Sequence, residues 1–157
     1  MATKTTKKKG ETTTTVSVGI RIDPKIKFAL DMMGREQKRS LTAVIEWAIS
    51  SAIAQQQWSM DETFSEVIDK VWSTDEATRF VNMAFYMPKT LTYDELRIWE
   101  TIKASRAFWV NFAQPCSYEN LAIWMVRDSW ESLKSHVERY KNSATVVPIK
   151  DTDLIPF

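Results

Sequence analysis

The sequence predicts a mainly α chain in which one strand and two helices precede an all-α C-terminal region. Three observations carry this reading. Residues 14–22 alternate apolar and polar side chains, the period of a half-buried strand. Asp23-Pro24 and Ser40 each open a stretch of helically spaced apolar residues. Beyond residue 55, helix-start signals recur between runs rich in Trp, Met and Leu.

Size and composition bound the answer. A chain of 157 residues fits one or two small domains. Six of its seven Trp lie after residue 55, enough large aromatic surface for a second core. One Cys, Cys116, and one His, His136, exclude an internal disulfide and a Cys/His zinc cluster, so no metal site and no cofactor is expected. No run approaches the roughly 18 uncharged apolar residues of a membrane helix, and the N-terminus lacks the apolar stretch of a signal peptide. The expectation is a cytoplasmic protein with no membrane partner. Net charge is near zero, but its distribution is uneven. Residues 1–40 hold ten Lys and Arg against four Asp and Glu, while the rest of the chain is acidic. A basic face for nucleic acid and an acidic body follow from that asymmetry.

Residues 1–13 (MATKTTKKKGETT) are polar and predict a disordered basic arm, in which Lys7, Lys8 and Lys9 are placed to meet phosphates. In the strand, Val16, Val18, Ile20 and Ile22 form one face. Thr15, Ser17, Gly19 and Arg21 form the other. The first helix follows Asp23-Pro24, with Ile26, Ala29, Leu30 and Met33 at helical spacing. Glu36-Gln37-Lys38-Arg39 reads as a turn. The second helix carries Val44, Ile45, Ala48, Ile49, Ala52 and Ile53 on its apolar face. Phe28 and Trp47 fall outside these stripes and are expected to pack against the C-terminal region or a partner.

A lone strand leaves its edge hydrogen bonds unmade, and two helices with one strand are too small for a self-sufficient core. A second copy repairs both defects, with two strands pairing antiparallel about a two-fold axis and four helices enclosing the apolar faces. Val16, Val18, Ile20, Ile22, Leu30, Val44, Ile45, Ala48 and Ile49 are the expected dimer core.

These residues resemble the ribbon-helix-helix family, the Arc/MetJ/CopG-like regulators. Ile20-Arg21-Ile22-Asp23-Pro24 is similar to the family's apolar-Arg-apolar-Asp-Pro signature. Ser40-Leu41-Thr42-Ala43-Val44-Ile45-Glu46-Trp47-Ala48-Ile49 resembles its Ser-x-Ser-x-Leu-Ile-x-x-Ala-Ile pattern. The match covers residues 14–53, and the two segments stand at the family's spacing. It implies an N-terminal ribbon-helix-helix domain at 14–55, formed as an intertwined dimer. The paired strands would enter the major groove of double-stranded DNA. Ser17, Gly19 and Arg21, with Thr15 at the margin, would face the bases, Arg21 being the main reader. The amides of Leu41 and Thr42 and the hydroxyls of Ser40 and Thr42 would hold a backbone phosphate, with Lys38 and Arg39 adding charge. The chain departs from the family pattern at Gly19, which has no side chain to read with. It departs again at Lys38, which falls where the family often has Gly.

The implied function is a sequence-specific DNA-binding homodimer and not an enzyme. The expectation is a transcriptional regulator, a repressor of bacterial, phage or mobile-element kind, on a pseudo-palindromic operator. An antitoxin whose C-terminal part binds a toxin is the alternative, as is an accessory factor for plasmid partition or conjugation.

Residues 56–145 predict a helical domain that serves dimerisation, tetramerisation or binding of a protein partner. Thr63-x-x-Glu66, Ser73-x-x-Glu76 and Thr92-x-x-Glu95 read as capping boxes. Helices are expected over about 93–110 and from Ser117 to about Lys141. Residues 146–157 read as an extended tail.

Overall fold

The structure, a computed structural model, describes residues 16–114 and 116–154. It is mainly α, with seven α-helices among the described residues. The chain divides into two units between Ser50 and Ser51.

In the first unit, α1 (Pro24–Gln37) begins as the sequence predicts. The Asp23 carboxylate accepts hydrogen bonds from the amides of Lys25 (2.8 Å) and Ile26 (3.4 Å), and Pro24 takes the first turn, where its missing N–H costs nothing. The helix ends at Lys38, whose φ of 54° is left-handed. The Arg39 amide then donates back to the Gly34 carbonyl at 2.9 Å, a turn that usually employs glycine at the left-handed position. Gly34 supplies the other requirement. A Cβ there would stand 3.0 Å from the Arg39 carbonyl oxygen and 3.7 Å from Val44 Cγ2. Ser40 caps α2 (Leu41–Gln55) by accepting from the Ala43 amide at 3.2 Å. Val44 is fully buried beneath this turn.

Of the strand expected over 14–22, the described residues 16–22 form no strand. Residues 16–22 have no ladder partner among the described residues. Strand pairing needs a neighbour, and one copy of the chain offers none. Val16, Val18 and Ile20 are consequently 85%, 74% and 61% exposed, against the half-buried face the alternation predicts.

The second unit is built from α3 (Phe64–Val71), α4 (Glu76–Tyr86), α5 (Tyr93–Ala104), α6 (Ile123–Asp128) and α7 (Trp130–Arg139), with short 3-10 turns at Pro88–Thr90, Arg106–Phe108 and Asp151–Asp153. α4 packs on α3 and α6, and α5 packs on α7. Their shared core holds Phe80, Val81, Trp99, Ile102, Phe108, Val126 and Leu133. Phe80 meets Trp130 at 5.1 Å between ring centroids, and Phe85 meets Trp99 edge-on at 5.0 Å. A smaller cluster of Val67, Val71 and Met87 sits under Trp58 and Phe64.

Two of the three capping boxes form as predicted, at Thr63 with Glu66 and at Thr92 with Glu95. The third does not. Asp75, not Ser73, caps α4 by accepting from the Thr78 amide at 2.8 Å, because a carboxylate adjacent to the first turn outcompetes a hydroxyl two residues earlier.

The helix expected over 93–110 stops at Ala104. Ser105 is fully buried and turns its hydroxyl to the Thr101 carbonyl (2.6 Å), while its oxygen accepts from the Ile149 amide (2.9 Å). The helix expected from Ser117 to Lys141 is two helices. Ser117 accepts from the Asn120 amide within a turn, Leu121 bridges Trp109, and the helical path begins only at Ile123. It breaks again at Ser129, whose hydroxyl donates to the Met125 carbonyl and competes with the backbone ladder. The tail also departs from expectation. Ile149 and Leu154 are buried in the main core, and residues 151–153 form a 3-10 turn. His136 Nε2 stands 2.8 Å from the Val147 carbonyl, and since a carbonyl only accepts, that nitrogen carries the proton. The lone histidine is thus occupied in holding the tail.

Candidate nucleic-acid interface

Apart from Thr15 and the arm, the residues expected to meet DNA lie between Ser17 and Thr42. Ser17, Gly19 and Arg21 are all exposed on the segment that leads into α1. Among the described residues no heavy atom lies within 4 Å of where a Cβ on Gly19 would stand, so none of them requires glycine there. Thr15 and the arm residues Lys7, Lys8 and Lys9 lie outside the described residues.

The turn between α1 and α2 brings the remaining candidates together. Lys38, Arg39, Ser40 and Thr42 are exposed, and Leu41 is half-buried. Ser40 spends its hydroxyl on the Ala43 amide and its carbonyl on the Val44 amide. The amides of Leu41 and Thr42 have no acceptor among the described residues, as the first amides of a helix must unless something outside it binds them. Positive charge converges on the same point. The last turn of α1 contributes Arg35, which with Lys38 and Arg39 lines a depression shared with Leu30, Gly34, Leu41 and Asp31, the last bound by Lys27. Arg35 was not among the residues singled out by sequence reasoning. Its position one helical turn before Arg39 is the signal that identifies it.

Arg21, Lys25, Arg35, Lys38 and Arg39 form no ion pair with any described residue. Lys27 is different, because Asp31 binds it at 2.6 Å. The first unit therefore presents five cations that form no ion pair among the described residues, three of them, Arg35, Lys38 and Arg39, at the turn that leads to the two helix-start amides. Cations beside free helix-start amides suit an anion.

The second unit offers less chemistry. Among the described residues, no group of three His, Cys, Asp or Glu is placed to hold a metal ion, and no helix is long and apolar enough to cross a membrane. Cys116 is exposed, and partial burial of its sulfur raises the thiol above its ordinary pKa, the opposite of an activated nucleophile.

No protein-family model matches the chain, and no curated protein or solved structure is significantly similar to it.

Proposed function

We propose that the chain is a ribbon-helix-helix DNA-binding protein that works as a homodimer and regulates transcription, as a repressor at a pseudo-palindromic operator. The observation that carries this reading is the exposed alternating row Val16, Val18 and Ile20 directly ahead of two capped helices. A single chain leaves three β-branched side chains in water. Two copies that pair these segments bury six, each contributing about 1.5–3 kcal/mol. That gain is of the size needed to offset the roughly 4–15 kcal/mol lost on association. Pairing also satisfies the backbone groups that face the second strand, those of alternate residues.

Burying the apolar row turns Ser17, Gly19 and Arg21 outward on both strands, as a two-stranded ribbon sized for a major groove. Arg21 donates two parallel hydrogen bonds to guanine O6 and N7, a contact that discriminates by about 1–3 kcal/mol. Gly19 lets the ribbon backbone approach the bases closely. Arg35, Lys38 and Arg39 neutralise flanking phosphates, and the Leu41 and Thr42 amides clamp one of them. These contacts set register without reading sequence.

The test joins assembly to recognition. Sedimentation should find the wild type dimeric, and it should prefer DNA from its own upstream region to random DNA at equal salt. Val18→Asp should give a monomer that has lost both the preference and most of the affinity. A wild-type monomer, or a dimer indifferent to DNA, overturns the proposal.

A further inference from the structure

The second unit has a cleft of about 710 Å³ between α6 and the turn at 151–154, and its chemistry is one-sided. Volumes of roughly 300–1,000 Å³ are those of small-molecule sites. Ala107, Trp124, Met125 and Leu154 give it apolar walls. Trp124 stands 58% exposed, so its indole is open to a ligand. The charged residues among those that line the cleft are both acids, Asp128 and Asp151, and neither is ion-paired with a described residue.

A second cleft in this unit, bordered by Trp72, Phe80 and Met83, makes the contrast. Its charges are of both signs, and part of them is answered within the protein. Glu76 lies 3.4 Å from Lys134, and Arg79 donates to the Ser73 carbonyl at 2.6 Å while stacking over Trp72. With Glu95 also in its lining, that cleft carries two acids and two bases and favours neither sign of ligand. The first cleft has only the two carboxylates for charge, beside an exposed indole.

We propose that the cleft bounded by Trp124, Asp128 and Asp151 binds a small organic cation with an apolar body. The ring face of Trp124 attracts a cation through its quadrupole. Asp128 and Asp151 add Coulombic attraction that grows as the ligand displaces water. Met125 and Leu154 receive the apolar part. An anion of the same shape gains only the apolar contact and meets two repelling charges. This inference does not depend on the DNA-binding reading, since every residue it uses lies in the second unit.

Calorimetric titration of the full chain with tetraphenylphosphonium and with tetraphenylborate tests it, because the two ions match in shape and differ in sign. The cation should bind at least tenfold tighter than the borate. Asp128→Asn/Asp151→Asn should cost the cation at least tenfold while leaving the borate no weaker, which separates lost charge from lost fold. Trp124→Leu should weaken the cation severalfold. Equal affinity for the two ions, no binding of either, or an unaltered double variant overturns the proposal. Cation binding that emerges only after removal of residues 155–157 also overturns it, and identifies the chain's own end as the occupant.

Discussion

The Arg39 amide donates to the Gly34 carbonyl across 2.9 Å, and the Arg39 carbonyl oxygen stands 3.0 Å from where a Gly34 side chain would begin. This one turn fixes where α1 stops, sends Lys38 into a left-handed conformation and delivers Lys38, Arg39 and Ser40 together to the start of α2. Geometry and proposed DNA contact are the same residues here, so changes at this turn separate stability from binding.

Gly34→Ala and Lys38→Gly should move stability in opposite directions. The first pushes a methyl against backbone, a strain of about 1–3 kcal/mol that outweighs the helix propensity gained. The second relieves a left-handed lysine that costs about 1–2 kcal/mol. Urea midpoints should fall for Gly34→Ala and rise for Lys38→Gly. DNA affinity of the more stable variant should nonetheless drop modestly, and its salt slope should shrink by about one charge per subunit.

Ser40 separates capping from phosphate contact. Ser40→Asp retains an N-cap acceptor and should melt within about 1 kcal/mol of wild type. Its carboxylate also occupies the place proposed for a phosphate, so binding to any DNA should fall at least tenfold. A melting transition like wild type's with undiminished binding removes the helix start from the interface.

Tyr118 and Asn82 tie three parts of the second unit together. The Tyr118 hydroxyl donates to Asn82 Oδ1 at 2.9 Å, and Asn82 Nδ2 donates to the Val71 carbonyl at the end of α3. Asn82 is buried. Tyr118→Phe leaves its amide oxygen without a donor and should cost about 1–3 kcal/mol in thermal or urea unfolding.

Asp75 gives the second unit an acid-sensitive limb. The Thr78 hydroxyl, and then the Thr78 amide, hold its carboxyl below the ordinary pKa. A carboxyl depressed in the folded state stabilises above its unfolded value, near pH 3.9, and that contribution is lost as pH falls through the folded value. Stability measured downward from neutral pH should therefore fall less steeply in Asp75→Asn than in wild type.

What the sequence made legible follows from how local each interaction is. Asp23, Ser40, Thr63 and Thr92 cap helices through bonds that span two or three residues, so their spacing alone announces them. The stop at Ser105 was illegible for the opposite reason. Ser105 leaves the helix with the Ile149 amide bound to its hydroxyl, a partner 44 residues away, and no periodicity encodes that. The row at Val16, Val18 and Ile20 is a third case. Its alternation is plain, yet a ladder depends on a second strand, and one copy leaves the row in water. In the candidate interface, Lys38, Arg39 and Ser40 are adjacent in sequence and were legible. Arg35 joins them only through the turn of α1.

The most direct test of the central claim is fluorescence anisotropy with DNA from the protein's own upstream region and with random DNA, across a salt series, for wild type and Arg21→Ala. Both proteins should show salt-sensitive binding. Arg21→Ala should lose most of the preference for upstream DNA while keeping much of its affinity for random DNA, which places the guanidinium at a base edge. No binding at low salt by a folded wild-type dimer would contradict the account, and would leave the Trp-rich second unit as the functional part of the chain.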